Sequence, residues 1–256
     1  MSTQTTPKIA LVTGGSRGLG RNMVIALGRK GIDVMFTYNS NKDAADKVVS
    51  ELSSLGRKAK AFQLDTSNIR QFANVQNEVT TYLTGQYGKP SFDFLINNAG
   101  TALYASITDV TEKQMDDIFN IHYKGVFFLT QALLPYLNDG GGIVNVSSGL
   151  ARIVMPGSSV YGSLKAAIET LTRYMAKELG PRRIRVNVIA PGAIETDFGG
   201  GRVRDNKDVN AHIAEITALG RVGLPDDIGG VVAFLCTDEA GWINAQRIEV
   251  SGGQAL

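Results

Sequence analysis

Short apolar runs alternate along the chain with segments in which apolar residues recur at helical spacing. Runs such as Lys8–Val12, Ile32–Tyr38 and Phe92–Ile96 are too apolar for strands with one solvated face, so they predict a parallel sheet covered by helices on both sides. Right-handed crossovers then give an α/β, doubly wound sheet of about seven strands. The other predicted strands are Lys60–Leu64, Ile143–Val146, Ile184–Ile189 and Arg247–Val250, and the predicted helices are Asn22–Lys30, Lys42–Leu55, Ile69–Leu83, one from Thr111 towards Leu137, and Ser158–Gly180.

Two segments depart from this simple alternation. Gly125–Leu134 is apolar nearly all round, so we expect its outer side to be buried as well, against another copy of the chain. Phe198–Leu224 contains three consecutive glycines and is only weakly helical from Val209 to Leu219. We expect residues 198–224 to be mobile and to act as a substrate lid.

Composition narrows the class of protein. The 256 residues are 43% hydrophobic and 20% charged, and no linker divides them, so we expect a single domain over residues 1–256. A net charge of +2 without a basic cluster argues against nucleic acid or membrane as a partner. Cys236 is the only cysteine, and Met1–Lys8 has no apolar core of a signal peptide, so we expect a cytoplasmic protein.

The candidate chemistry lies in the Ser158–Gly180 helix. Tyr161 and Lys165 are one helical turn apart, so the phenol and the ammonium project side by side near the helix N-terminus. A nearby cation favours the phenolate and is expected to lower the pKa of the tyrosine towards the neutral range. Taken alone, this spacing is also typical of an ordinary helix with a surface lysine.

A glycine-rich loop follows the first strand. Thr13–Gly20 contains Gly14, Gly18 and Gly20 in the spacing G-x-x-x-G-x-G, between a predicted strand and a predicted helix. Such a loop lets backbone N–H groups approach a phosphate closely. The spacing differs from the common G-x-G-x-x-G of dinucleotide-binding sites, so the loop by itself is weak evidence.

Together these motifs resemble the short-chain dehydrogenase/reductase family, within which the chain is most similar to the 3-oxoacyl-carrier-protein reductase and ketoreductase branch. The resemblance covers Lys8 to Gly253 in order and implies a Rossmann-like, dinucleotide-binding catalytic domain. Two departures are His122, where a small or aliphatic residue is commoner, and Ser251 at the start of the final Ser-Gly-Gly. The matching residues are Thr13–Gly20, Asn97-Asn98-Ala99-Gly100, Ser148, Tyr161, Lys165 and Pro191-Gly192.

The resemblance implies four catalytic roles. Tyr161 would protonate the carbonyl oxygen, Lys165 would bind the nicotinamide ribose and lower the tyrosine pKa, and Ser148 would hold the substrate oxygen. Asn120 would hold a water that connects Lys165 to solvent. Ser148 could instead be a turn residue at a strand end, and Asn120 could simply satisfy helix backbone.

The resemblance also implies an NADP(H) site. No acid ends the second strand before Asp43, and Arg17, Asn39 and Ser40 can bind a 2′-phosphate, although Arg17 could instead only face solvent. Asp65 could equally cap the next helix. The expected cofactor residues are Gly14, Ser16, Arg17, Gly18, Leu19 and Gly20 for the diphosphate, Asp65, Thr66, Asn97, Ala99 and Gly100 for the adenosine, and Pro191, Gly192, Ile194 and Thr196 for the carboxamide; Leu150 and Phe198 are expected to contact substrate.

We therefore expect an NADPH-dependent reductase that converts a ketone or aldehyde to an alcohol. The resemblance further implies a homotetramer, and no metal site is expected. Two alternatives remain at this point: an NAD(P)-dependent alcohol or hydroxysteroid dehydrogenase, and a nucleotide-binding regulator without turnover. An intact acid and base set argues against the regulator, since binding alone needs neither Tyr161 nor Lys165.

Overall fold

A computed structural model describes residues 7–256 and contains a seven-stranded sheet in the order β3-β2-β1-β4-β5-β6-β7. All neighbouring pairs are parallel, so the doubly wound α/β fold predicted from the sequence is confirmed. The strand order reverses between β1 and β4, where ligands bind in open sheets of this kind. The strands are β1 Ile9–Val12, β2 Asp33–Tyr38, β3 Ala59–Gln63, β4 Phe92–Asn97, β5 Leu137–Val146, β6 Arg185–Pro191 and β7 Arg247–Val250.

Helices connect these strands and cover both faces of the sheet. Side chains of β1 alternate between the faces: Ala10 and Val12 pack towards α1, α2 and α9, whereas Ile9 and Leu11 pack towards α3, α5 and α6. Each face therefore has its own hydrophobic core. The helices are α1 Gly18–Arg29, α2 Lys42–Ser54, α3 Phe72–Tyr87, α4 Glu112–Phe119, α5 Gly125–Leu133, α6 Ser159–Leu179, α7 Arg202–Asp205, α8 Lys207–Glu215 and α9 Asp226–Leu235.

The prediction of one continuous helix from Thr111 towards Leu137 is wrong. This segment forms two helices, α4 and α5, which are joined by the π-helical turn Asn120–Lys124, and Leu137 already begins β5. Helical periodicity cannot distinguish one extra residue in a turn from a regular helix, because the apolar positions continue on both sides. The turn changes which side chains face the sheet.

The chain between Phe198 and the last strand is more helical than the sequence indicated. Asp226–Leu235 forms α9, which the sequence analysis did not predict, and its Ile228 and Val232 are fully buried against the sheet. Residues 198–224 contain α7 and α8. The three glycines 199–201 adopt φ values of 62°, 75° and 76°, a left-handed conformation that glycine takes without strain.

The outer face of α4, α5 and α6 carries exposed apolar side chains. Phe127 and Phe128 are 38% and 40% exposed, and Tyr174 is 65% exposed. Residues 7–256 therefore leave the outer side of α5 uncovered. No helix in residues 7–256 has the length and hydropathy needed to span a bilayer.

Candidate active site

A cavity of about 720 Å³ lies at the carboxyl ends of the parallel strands, beside the point where β1 and β4 diverge. Its volume is in the range of small-molecule and cofactor sites. Every site residue predicted from the sequence lines this cavity except Ser40, Asn97 and Asn120. The fold thus brings the glycine loop, the strand ends and the start of α6 to one site.

The glycine loop is held by hydrogen bonds from the two neighbouring strands. The Thr13 hydroxyl accepts bonds from the backbone N–H groups of Asn98 and Ala99, both at 2.9 Å. The Asn98 amide in turn donates to the Thr13 carbonyl at 2.8 Å, and the Gly14 N–H donates to the Thr37 hydroxyl at 3.1 Å. These contacts fix the loop before any ligand binds.

The N-terminus of α1 fits an anionic group. Its N-cap residue, Arg17, provides no side-chain cap, and the first turn contains no acid. The free N–H groups and the helix dipole therefore favour a phosphate at this end. Arg17 is exposed at the cavity rim and forms no salt bridge with the residues the structure describes, so its guanidinium can face such a group.

Three predicted site residues lie elsewhere. Asn97 is 5% exposed, and its amide donates to the Thr130 hydroxyl at 3.1 Å and to Asn145 at 2.9 Å, so it ties β4 to its neighbours inside the protein. Ser40 is exposed beyond the end of β2. Asn120 does not line the cavity, whereas His122, two residues later, does. The expected roles of Asn97, Ser40 and Asn120 stay predictions, because none of the three lines the cavity wall.

Some lining residues were missed by the sequence analysis. Tyr38 is the last residue of β2, and Gln254 accepts a hydrogen bond from the Ala193 N–H at 2.9 Å beside the predicted carboxamide site. The position of Tyr38 at a strand end was a usable signal. Nothing in the sequence indicated that the C-terminal segment returns to the cavity. Asp65 and Ser148 line the cavity and also make turn hydrogen bonds, since Asp65 accepts from the Ser67 N–H and Ser148 accepts from the Leu150 N–H. The residue that caps the next helix is Asn68, so the alternative role of Asp65 as that cap is wrong.

Tyr161 is enclosed by the cavity wall. It is 6% exposed, and burial raises the pKa of its phenol above the usual value of 10.0, while a hydrogen bond with Ser148 partly opposes that rise. The expected lowering of this pKa is therefore wrong for the chain alone. Desolvation is the largest cause of the raised pKa.

The surroundings of Lys165 explain why its charge does not lower the pKa of Tyr161. Its Nζ lies 5.6 Å from the centre of the Tyr161 ring and donates to the Val146 carbonyl at 2.7 Å. Burial lowers the pKa of this ammonium from 10.5 to about 7, so the lysine is only partly charged near neutral pH. A phosphate or ribose bound nearby would favour the charged form and strengthen its effect on Tyr161.

Aromatic and aliphatic side chains form the other side of the cavity. The Phe198 ring lies 6.0 Å from the Tyr161 ring, and the Arg202 guanidinium lies 5.8 Å from the ring of Tyr104. Tyr104 and Phe198 are 46% and 42% exposed, so their faces are available to a ligand. The side chains of residues 7–256 contain no cluster of three or more potential metal ligands.

The sequence is similar to known reductases over nearly its whole length. The family described as enoyl-(acyl carrier protein) reductase matches residues 14–255. The chain is 35% identical to the tetrahydroxynaphthalene reductase PfmaG of Pestalotiopsis fici, over 96% of this chain and 91% of that protein.

Solved structures are similar over the whole length. The promiscuous reductase LugOII, which catalyses keto-reduction at C1 during lugdunomycin biosynthesis, is 36% identical with a TM-score of 0.91, over 98% of both chains. The angucycline C-6 ketoreductase LanV, solved with bound NADP, is 33% identical with a TM-score of 0.92, over 97% of this chain and 95% of LanV.

Proposed function

The chain belongs to the short-chain dehydrogenase/reductase family, and we propose that it is an NADPH-dependent reductase that converts an aromatic ketone to an alcohol with Tyr161 as general acid. The observation that carries the proposal is the convergence of Ser148, Tyr161 and Lys165 on the same cavity as the glycine loop. An acid beside a dinucleotide-type site is the arrangement that carbonyl reduction needs.

The described residues fit a nicotinamide cofactor. The uncapped α1 N-terminus and the loop around Gly14 would hold its diphosphate, Asp65 and Thr66 its adenine edge, and Thr196 its carboxamide. When bound, the reduced cofactor supplies the hydride. Arg17 lines the cavity together with Tyr38 and Asn39 at the end of β2, where no acid occurs, and this combination favours NADPH over NADH.

The proton is supplied by the protein. Tyr161 is protonated across the neutral range, because burial raises the pKa of its phenol, so it can donate to a carbonyl oxygen held by the Ser148 hydroxyl. The alkoxide that would form on hydride addition takes this proton. Lys165, brought to its charged form beside a bound ribose, would then stabilise the phenolate that remains.

The substrate class follows from the cavity walls and from the relatives. Tyr104 and Phe198 offer half-exposed aromatic faces to the cavity, and Leu150 adds an aliphatic surface. Flat aromatic ketones would stack on such rings with little polar desolvation. Two relatives, named a tetrahydroxynaphthalene reductase and an angucycline C-6 ketoreductase, support the same class.

The test is NADPH consumption, followed by absorbance, with bicyclic aromatic ketones and with simple aliphatic ketones. Tyr161→Phe should lower kcat by at least the ~10²-fold typical of losing a general acid. NADPH affinity, measured by fluorescence, should be unchanged, because the ring and the cofactor loop remain.

Tyr174→Phe is a matched control, since it makes the same change on the same helix at a residue that is 65% exposed and outside this cavity. It should behave as wild type. If Tyr161→Phe retained more than half of the wild-type kcat, Tyr161 would not be the general acid. A preference for aliphatic ketones would contradict the proposed substrate class.

A further inference from the structure

A second ring lies against the proposed acid. His122 belongs to the π-helical turn Asn120–Lys124, is 1% exposed and lines the cavity. Its imidazole meets the Tyr161 ring at an interplanar angle of 88°, with ring centres 5.2 Å apart. Edge-to-face contact at this separation is the preferred arrangement for two such rings. None of the roles proposed above uses this histidine.

Two contacts with the Thr101 backbone fix the imidazole. Its Nε2 lies 2.7 Å from the Thr101 carbonyl oxygen and 3.2 Å from the Thr101 backbone nitrogen. The shorter contact is satisfied when the neutral ring has its proton on Nε2, because a carbonyl can only accept, and the longer one when the proton is on Nδ1. Nδ1 is buried and has no hydrogen-bond partner among residues 7–256. The ring is therefore held from one end, by the backbone that follows β4.

The backbone above the ring prevents it from moving away from Tyr161. A Cβ atom added to Gly100 would lie 2.6 Å from Cε1 of His122, so the imidazole packs directly under a residue that has no side chain. The imidazole thus fills the space between the Gly100–Thr101 backbone and the phenol. Rotation of the phenol towards that side would require the imidazole to leave its hydrogen bond.

A second aromatic neighbour of the phenol, Phe198, is less fixed than His122. Phe198 is 42% exposed, belongs to residues 198–224, and meets the Tyr161 ring at a tilt of 54° with centres 6.0 Å apart. His122 is buried and hydrogen-bonded. Of these two rings, His122 is therefore the one that can set the orientation of the phenol before substrate binds.

We propose that His122 is a positioning residue that holds the phenol of Tyr161 in the orientation from which it donates its proton. This inference rests on the proposed function, in which Tyr161 is the general acid. Proton transfer is sensitive to small displacements of the donor, and misplacement by about 1 Å can cost on the order of a hundredfold in rate.

The imidazole acts as an uncharged group. Burial, followed by the charge of Lys165, lowers its pKa from 6.5 to about 3. The ionisable groups that face it are Tyr161 and Lys165, and neither supplies a negative charge that would raise the His122 pKa again. His122 therefore does not serve as a second acid near neutral pH, and its effect passes through the position of Tyr161.

Two variants separate the ring contact from the hydrogen bond. In His122→Gln the amide nitrogen can reach the Thr101 carbonyl, but the ring edge against Tyr161 is lost; His122→Leu loses both. We expect kcat to fall about tenfold or more in each variant, since the phenol is no longer held. KM for NADPH and the NADPH dissociation constant should not change. The solvent isotope effect on kcat should rise, because proton transfer becomes slower.

Lys124→Gln is the control for disturbance of the same turn, because Lys124 does not line the cavity and its side chain makes no hydrogen bond within residues 7–256. It should retain wild-type kinetics. Thermal unfolding of all three variants shows whether any loss reflects a less stable fold, which is not expected for His122→Gln.

A double-variant cycle decides between positioning and a general structural role. If His122 acts through the Tyr161 hydroxyl, adding His122→Gln to Tyr161→Phe should cause no further loss of the residual turnover. A similar loss in both backgrounds, or wild-type kcat in His122→Gln, would overturn the inference. If Tyr161→Phe itself retains activity, the proposed function fails, and this result is distinct from a failure at His122.

Discussion

Substitution of a single loop glycine should test whether the glycine loop holds the cofactor. Gly20 lies in the first turn of α1, directly behind Gly14. A Cβ atom added to Gly20 would lie 2.0 Å from the Gly14 carbonyl oxygen and 2.6 Å from the amide nitrogen of Asn98. Neither group can yield easily, because the Asn98 amide also donates to the Thr13 carbonyl at 2.8 Å.

The expected effect of Gly20→Ala has two parts. Forcing an extra methyl group into a packed site costs about 1–3 kcal/mol of stability, and the contact here is with backbone, so we expect the upper part of that range. Relief requires Gly14 to move away from α1, which misplaces the loop N–H groups. Loss of one hydrogen bond to a charged phosphate is worth about 1.5–3 kcal/mol, or roughly ten- to a hundredfold in the NADPH dissociation constant.

Gly230→Ala provides the matched control. Gly230 is exposed within α9, has no atom within 4 Å of an added Cβ, and does not line the cavity. Alanine is favoured over glycine in a helix interior by about 1 kcal/mol, so this variant should be slightly more stable and bind NADPH normally. Urea unfolding gives the stability, and fluorescence of bound NADPH gives the affinity.

Two outcomes would refute this reasoning. Wild-type NADPH affinity in Gly20→Ala would show that the loop does not hold the cofactor, even if stability falls as expected. Wild-type stability together with wild-type affinity would show that the close approach of Gly20 to Gly14 is not required. A loss of affinity in Gly230→Ala would make any effect at Gly20 uninformative about the loop.

Other predictions concern the cofactor, pH and assembly. Arg17→Ala should lower kcat/KM for NADPH about tenfold or more and leave NADH unchanged, whereas Arg29→Ala, which removes an exposed cation away from the cavity, should change neither. Stability should fall as the pH drops from 6.5 towards 3, because the unfolded chain then binds a proton at His122 that the folded chain excludes, and urea unfolding of His122→Gln should show a smaller fall. Charging the exposed face with Phe127→Glu and Phe128→Glu should convert the expected homotetramer to smaller species in light scattering; a monomeric wild type would contradict the assembly.

The sheet could be predicted because its strands are short, apolar and bounded by turn residues. Each predicted strand matches an observed strand in place and order, and the chemistry at the strand ends follows from parallel topology. The C-terminal part could not be predicted in the same way. The helix α9 contains Gly229-Gly230, which weakens its helical signal, and burial of Ile228 and Val232 against the sheet stabilises it instead.

The position of the cofactor specificity residue illustrates a second limit. The sequence predicts that the second strand ends at Tyr38, but it does not show which of the last side chains of the strand reaches the cavity. In the structure the Thr37 hydroxyl accepts a bond from the Gly14 N–H and is 1% exposed, whereas Tyr38 ends the strand at the cavity. Asp at residue 37 would damage the glycine loop, so an acid that repels a 2′-phosphate belongs at residue 38.

The π-helical turn contains both Asn120, which the family resemblance implies for the site, and His122, which the sequence analysis noted only as a departure from that resemblance. One extra residue in the turn rotates the following side chains, and it is His122 that reaches the cavity beside Tyr161. Asn120→Ala distinguishes these assignments. A role in holding a water for Lys165 predicts a loss of kcat in this variant, whereas a purely structural role predicts almost none, so its kinetics beside those of His122→Gln show which residue of the turn supports the acid.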